Sequence, residues 1–392
     1  MKKWKRMLAV LLAAFMVAGI MQTEVFALDT AALDNMYQGG LTLIDTALNS
    51  ECGYGNEWQV ITLARAGKLS YEKAEQYYAS LEAKVRENGS SKFDPTYMST
   101  REILAVVAIG KDPTSVAGYN LLEPLGDLDY VTANGYNTMY GSMNALVALD
   151  TKNYTIPDVS VANKTTREAL IQNILTTDVV ATGGWSWDGT TMDADETAMA
   201  IQALAPYYNS NANVKTAVDN ALIALSLAQN ADGSFNDSYY NVSNTGTTIQ
   251  VLIALSTLGI DAQTDARFIK GDKTILDALH GFYNEGSGFR VSATGEIVNA
   301  LSTAQGTYGL NAYQRLVAGK TAFYNMSDAT PINDPSSEQS TSATEASTEA
   351  TTAAKKDDTP KTGDTMPVVL LAGMALFAAS GAVYLSRKKN MQ

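Results

Sequence analysis

The 392-residue chain has a single cysteine, Cys52, and a single histidine, His280, and only 18% of its residues are charged. One cysteine excludes an internal disulfide framework. Structural zinc sites built from Cys and His need three or four such ligands and are excluded with it. A Ser-His-Asp or Cys-His device would have to use His280, and no motif surrounds that residue. Basic residues are scarce: 28 Lys and Arg stand against 41 Asp and Glu, a net charge of −13. That sign argues against nucleic acid as a partner, because binding it takes cationic surface to replace counterions. Apolar residues, in contrast, make up 46% of the chain, enough to bury a sizeable core.

Both ends read as addresses. Residues 1–27 have the layout of a secretory signal peptide: Lys2, Lys3, Lys5 and Arg6, then the apolar stretch Met7 to Ile20, then Val25-Phe26-Ala27 as the site for signal peptidase. Toward the other end, Pro367 to Leu385 is 19 largely apolar residues, long enough to cross a bilayer as a transmembrane helix at about 1.5 Å per residue. Arg387, Lys388 and Lys389 follow and would stay cytoplasmic. Thr359-Pro360-Lys361-Thr362-Gly363 stands just before the span. The pentapeptide, apolar span and basic tail together resemble the cell-wall sorting signal of Gram-positive surface proteins, with Thr359 where that signal usually has Leu. The resemblance implies a sortase that cuts between Thr362 and Gly363 and joins the chain to peptidoglycan. Residues 1–27 carry +3 and residues 363–392 carry +2, which leaves −18 on residues 28–362. Residues 330–358, rich in Ser and Thr, cannot bury enough surface to offset chain ordering and are expected to be a disordered stalk.

Residues 28–329 contain a repeat. Ala105, Ala148, Ala203, Ala254 and Gly309 mark equivalent places in apolar segments, at spacings of 43, 55, 51 and 55 residues. A period near fifty with two helical segments per unit predicts about six helical hairpins. One class of segment, typified by 248–258, is apolar all round and must be buried on every side. The other class, at 71–86, 165–176, 213–229 and 273–283, is amphipathic. The first class is therefore expected to form an inner ring and the second an outer one.

Between the classes a glycine and an aromatic recur: Gly184-Trp185, Gly233-Ser234-Phe235 and Gly288-Phe289. These turns resemble the repeats of the terpenoid cyclase and protein prenyltransferase superfamily, including its squalene cyclase-like repeats. The resemblance implies an all-α fold, the α/α toroid. Ser99 to Pro113 and Tyr324 to Asp328 look like bacterial surface proteins that are similar to the helical domain of the cobalamin carriers intrinsic factor and transcobalamin. That similarity implies a corrinoid as a ligand.

Two constellations are candidates for chemistry. Asp193-Ala194-Asp195-Glu196 resembles the Asp-x-Asp-Asp motif of class II terpene cyclases, which implies Asp195 as general acid with Asp193 and Glu196 beside it. The same residues fit a capping box, Asp193 opening an apolar helix with Glu196 three residues on. A calcium site from Asp188, Asp193 and Asp195 lacks the spacing of a helix-loop-helix calcium loop, and no metal is expected. The second constellation is aromatic: Trp185, Trp187, Tyr136, Tyr140 and Tyr308 are candidates to line a ligand cup. Trp185, like Phe235 and Phe289, also fits a packing plug repeated with the turns. Four readings stand together: a surface-displayed binding module for a small molecule, a cyclase using Asp195, a glycan-active enzyme and an adhesion domain. Binding is favoured over catalysis.

Overall fold

The structure is a computed structural model that describes residues 28–89, 99–133, 138–238, 240–292, 295 and 298–334. The expected signal peptide with Ala27, Tyr136, the stalk from residue 335 onward, Thr362, Gly363 and the apolar span 367–385 lie outside the described residues. Among the described residues no helix is long and apolar enough to cross a membrane.

The described chain is mostly helical. Its α-helices are α1 (Thr30–Ala47), α2 (Glu57–Ala66), α3 (Tyr71–Asn88), α4 (Thr100–Ala108), α5 (Leu128–Ala133) and α6 (Thr138–Asp150). They continue with α7 (Arg167–Thr176), α8 (Ala194–Leu204), α9 (Ala212–Ala228), α10 (Thr245–Thr257), α11 (Ile275–Phe282) and α12 (Ala300–Val317). One two-stranded antiparallel ribbon, β1 (Tyr283–Asn284) with β2 (Gly288–Phe289), pairs Tyr283 with Phe289 and Asn284 with Gly288. Side-chain caps set many of the helix starts: Ser70, Thr166, Asn211, Asn244 and Asn299 each accept a first-turn amide. Thr274 and Asp277 complete a reciprocal capping box on α11.

The even-numbered helices are the apolar class. In α10 every residue from Thr245 to Ser256 is buried except Gly246 and Gln250. Helices α2, α4, α6, α8, α10 and α12 pack each on the next, and α12 packs back on α2. Odd-numbered helices lie against this cycle: α1 on α2 and α12, α7 on α6, α9 on α8, and α11 on α10. They bury only a stripe, as α3 does with Ala74, Tyr77, Leu81 and Val85. The repeat mark Gly309 is small for a stated reason. A Cβ there would lie 2.7 Å from the Cβ of Ile249, so only glycine lets α12 approach α10 this closely.

The recurring turns are built alike. The amides of Trp185, Phe235 and Phe289 donate to the hydroxyls of Thr197, Thr248 and Thr303, at 2.9, 3.1 and 3.0 Å. Each threonine stands four residues after the helix cap, Asp193, Asn244 or Asn299. Each cap amide in turn donates to the carbonyl of its aromatic. Gly288 (φ 106°) precedes its plug in the left-handed region, and a Cβ there would sit 2.2 Å from the Thr303 hydroxyl.

After α12 the chain runs as a strap, residues 321–332, past the C-terminal ends of four inner helices. Arg65, ending α2, donates to the carbonyls of Phe323, Ala322 and Asn325 and pairs with Asp328. Arg315, ending α12, donates to the Thr321 carbonyl and pairs with the same Asp328. The Met326 amide reaches the Thr151 carbonyl just beyond α6, and Gly110, beyond α4, lies against Thr330 and Pro331. The strap also sends Phe323 inward to stack on Tyr308 at 6.0 Å. Burial alone would raise the Asp328 carboxyl, but Arg65, Thr321 and Arg315 outweigh it and hold it at about 2. Both guanidiniums are 5% exposed. Removing Arg65 therefore takes one of two guanidiniums from Asp328 and leaves the carbonyls of Phe323, Ala322 and Asn325 without this donor. Arg65→Ala is expected to destabilise the fold by roughly 1–3 kcal/mol, read as a lower denaturant midpoint, whereas Lys320→Ala, on an exposed side chain, should leave the midpoint in place.

Candidate functional site

Three inner helices share one register when counted from their caps. Two residues after the cap stand Asp195, Gly246 and Leu301; six residues after it stand Met199, Gln250 and Gln305. All six are half-buried on helices whose other residues near them are mostly buried. Positions two and six lie on one helical face, so this stripe is the part of each inner helix that neighbours leave uncovered.

Contacts between helices tie the stripe together. The Gln202 amide donates to the Gln250 carbonyl and side-chain oxygen at 3.0 and 2.9 Å. Gln250 donates to the Tyr308 hydroxyl at 3.2 Å, and Tyr308 stacks on Trp58 at 5.5 Å. Tyr140 donates to the Met199 sulfur at 3.4 Å. Helices α2, α6, α8, α10 and α12 thus meet through amides, a thioether and aromatic rings.

Asp195 sits at the edge of this stripe, in the first turn of α8. Asp193 caps the helix, one oxygen accepting the amides of Asp195 and Glu196 at 2.7 and 3.2 Å and the other accepting the Ser238 hydroxyl. The expected capping box is only half made. The Asp193 amide that Glu196 would accept already donates to the Trp185 carbonyl at 2.9 Å. Glu196 is left with Oε2 buried and without a hydrogen-bond partner, and Asp195 with Oδ1 in the same condition. Burial first, then the charges of Asp193 and Asp237, push the Asp195 carboxyl up to about 7. Burial, then Asp193, Asp195, Asp178 and Asp188, push Glu196 up to about 8. Asp188 goes the other way, to about 2, because Thr190, Ser186 and Thr191 donate to it. Two carboxyls that exchange protons near neutrality can act as acid or base. No group of acidic, histidine or cysteine side chains among the described residues is arranged to hold a metal ion.

The structure separates the aromatic candidates. Trp185 is corrected from cup lining to plug: it is 1% exposed, and its ring nitrogen donates to the Ile174 carbonyl at 2.7 Å, so no ligand can reach its face. Phe235 and Phe289 are plugs in the same sense. Tyr140 and Tyr308, 8% and 4% exposed, belong to the central network rather than to an open wall. Trp187 is on the rim, 56% exposed. His280 is exposed on α11, and the Cys52 thiol, half-buried, donates to the Lys73 carbonyl.

Sequence reasoning missed Trp58, Met199, Gln202, Gln250 and Gln305. The available signal was an amide in an apolar segment, as in Thr248-Ile249-Gln250-Val251. A cavity of about 340 Å³ lies at the opposite end, between the strap and α2, lined by Arg65, Arg315, Lys320, Asp328 and Pro331. It is the weaker site, because Arg65 and Arg315 already spend their donors on the strap. Glu57, buried at the start of α2, accepts from the Gly55 amide at 2.8 Å and so is tied to its own turn. In sequence the chain matches no protein-family model and no curated relative.

Asp195 and Glu196 bind protons more tightly in the folded chain than their ordinary values, 3.8 and 4.5, allow when unfolded. Their contribution to stability is therefore complete below about pH 4 and is lost as pH rises through 7 and 8. Thermal midpoints taken from pH 5 to 9 should fall with rising pH. Asp195→Asn combined with Glu196→Gln should flatten that slope; an unaltered slope would show that the two carboxyls are not held protonated.

Proposed function

We propose that this chain is an exported α/α toroid, displayed on a cell surface, that binds a small molecule at the N-terminal end of its inner helices. The cyclic packing of the six even-numbered helices and the three matching plug turns support the toroid. The layout of residues 1–27 and 359–392 supports export, with signal peptidase at Ala27 and a sortase at Thr362-Gly363 linking the chain to peptidoglycan.

One observation carries the binding reading. The same two cap-relative positions stay half-buried on α8, α10 and α12; from them Gln250 reaches Tyr308, which stacks on Trp58, and Met199 meets Tyr140. Amides beside the half-buried Trp58 ring suit a planar ligand with a hydrogen-bonding fringe. A corrinoid has that chemistry and agrees with the resemblance to the cobalamin carriers. Titrating the full chain with cobalamin should change the corrinoid absorbance, and Gln250→Ala should weaken the response about tenfold. Absence of any change up to ~1 mM ligand, an affinity of only about −4 kcal/mol, would remove the corrinoid.

The raised carboxyls favour a second reading, a cyclase-like enzyme with Asp195 as general acid and Asp193 and Glu196 beside it. Binding is preferred because the centre is crossed by the Gln202–Gln250–Tyr308 bonds, a polar path ill suited to enclosing an apolar chain. Incubation with polyprenyl substrates separates the two: a cyclised product that vanishes in Asp195→Asn would establish the enzyme, and equal yields from both proteins would end that reading.

A further inference from the structure

Exposed apolar side chains are unevenly placed. Of the nine large hydrophobic residues that are exposed among the described residues, five lie on the three loops that carry the plugs: Val179, Trp187, Tyr240, Val242 and Val291. Trp187 and Tyr240 are the most prominent, 56% and 70% exposed. A soluble surface scatters such residues singly, and a concentration of them beside polar groups marks an interaction site.

Bonds between the loops make this one surface. Asp193 joins the first loop to the second, its amide on the Trp185 carbonyl and its carboxylate on the Ser238 hydroxyl. Trp187 and Tyr240 each stand two residues from one of those bonded groups. Val242 holds the Asp237 amide, and Val291 accepts the Thr245 amide, which joins the third loop to the second.

The charge of this surface is mainly negative. Asp188 is exposed, and Asp178 and Asp237 are half-buried within it. The charged neighbours acting on Asp178, Asp195 and Glu196 are carboxylates throughout. Arg290, on the third loop, donates to the Gly281 carbonyl, back toward α11. Packed helices stand about 8–10 Å apart, so loops on three successive hairpins spread over roughly 20 Å, the reach of about six extended residues. That span exceeds a small ligand, and an excess of carboxylates over the one basic side chain in these loops, Arg290, favours a cationic occupant over a neutral sugar.

We propose that the three plug loops form a docking surface for a basic, amphipathic polypeptide segment, whose apolar side chains cover Trp187, Tyr240 and Val242 while its lysines or arginines sit over Asp188, Asp178 and Asp237. This surface is the outer rim, distinct from the central residues Gln250, Tyr308 and Trp58, so it does not depend on the small-molecule reading.

The probe is a labelled synthetic peptide of alternating lysine and leucine, bound to the full chain and read by fluorescence anisotropy at physiological salt. Trp187→Ala with Tyr240→Ala should weaken binding at least about tenfold. Ile223→Ala with Leu227→Ala, equally exposed but on α9, should leave it unchanged. Oligolysine should bind more weakly than the alternating peptide, because charge alone does not cover the apolar rim. Equal losses in the two double variants, or none in the first, would overturn the proposal. Both pairs are exposed, so circular dichroism should match the parent, and a cobalamin titration of the same variants reports separately on the central site.

Discussion

A helix that is apolar on every side survives in water only if neighbours cover all of it. That requirement governs this molecule. Helices such as α10 have no polar face to turn outward, so a linear row would leave the first and last of them bare. The chain meets the demand by packing α12 back onto α2. With neighbours on both sides, what stays half-buried on α8 and α10 is the stripe that holds Met199 and Gln250, and both side chains are bonded to neighbouring helices.

Closure brings together residues far apart in the chain, and loop-closure entropy opposes it. The strap is the counterweight. Arg65 and Arg315 lie about 250 residues apart in sequence, yet the Arg315 guanidinium donates to the Arg65 carbonyl and both pair with Asp328. A guanidinium suits this role because its rigid fork satisfies several carbonyls at once. Phe323 then joins the seam to the central stack through Tyr308. That end of the cycle is thereby bridged, apart from the cavity of about 340 Å³ between the strap and α2.

Much of the architecture was legible because it is periodic. The alanine and glycine marks follow from close helix contact, as at Gly309 against Ile249, and the glycine-aromatic turns follow from a clasp repeated three times. Four odd-numbered helices, α3, α7, α9 and α11, showed themselves by charged stripes, and their observed bounds, such as Arg167–Thr176 within the expected 165–176, differ only at the ends, whereas α1 and α5 were not anticipated. What the sequence concealed depends on partners distant in the chain. Gln250 reads as an unremarkable polar residue until Gln202 and Tyr308 are seen on either side of it. Trp185 reads equally as ligand wall or plug, and only the position of the Ile174 carbonyl decides. The strap was hidden for the same reason: nothing local to Phe323 or Asp328 names Arg65 as their partner.

The two ends of the inner helices are electrostatic opposites, and the helix dipole accounts for part of this. Carboxylates stand in the first turns of α2, α4 and α8, and buried guanidiniums in the last turns of α2 and α12, each complementing the partial charge it meets. At the strap the complement is complete, since Arg65 and Arg315 find carbonyls and a carboxylate. At the opposite end it overshoots. Asp193 alone satisfies the first-turn amides of α8, and its own amide is taken by Trp185, so capping leaves Asp195 and Glu196 without a structural task. Retaining two further carboxyls in a half-buried place raises their affinity for protons and costs stability at neutral pH. A fold needing only a capped helix would have no use for them. The unpartnered oxygens, Asp195 Oδ1 and Glu196 Oε2, set this end apart from the strap, where Arg65 and Arg315 spend their donors on carbonyls and Asp328.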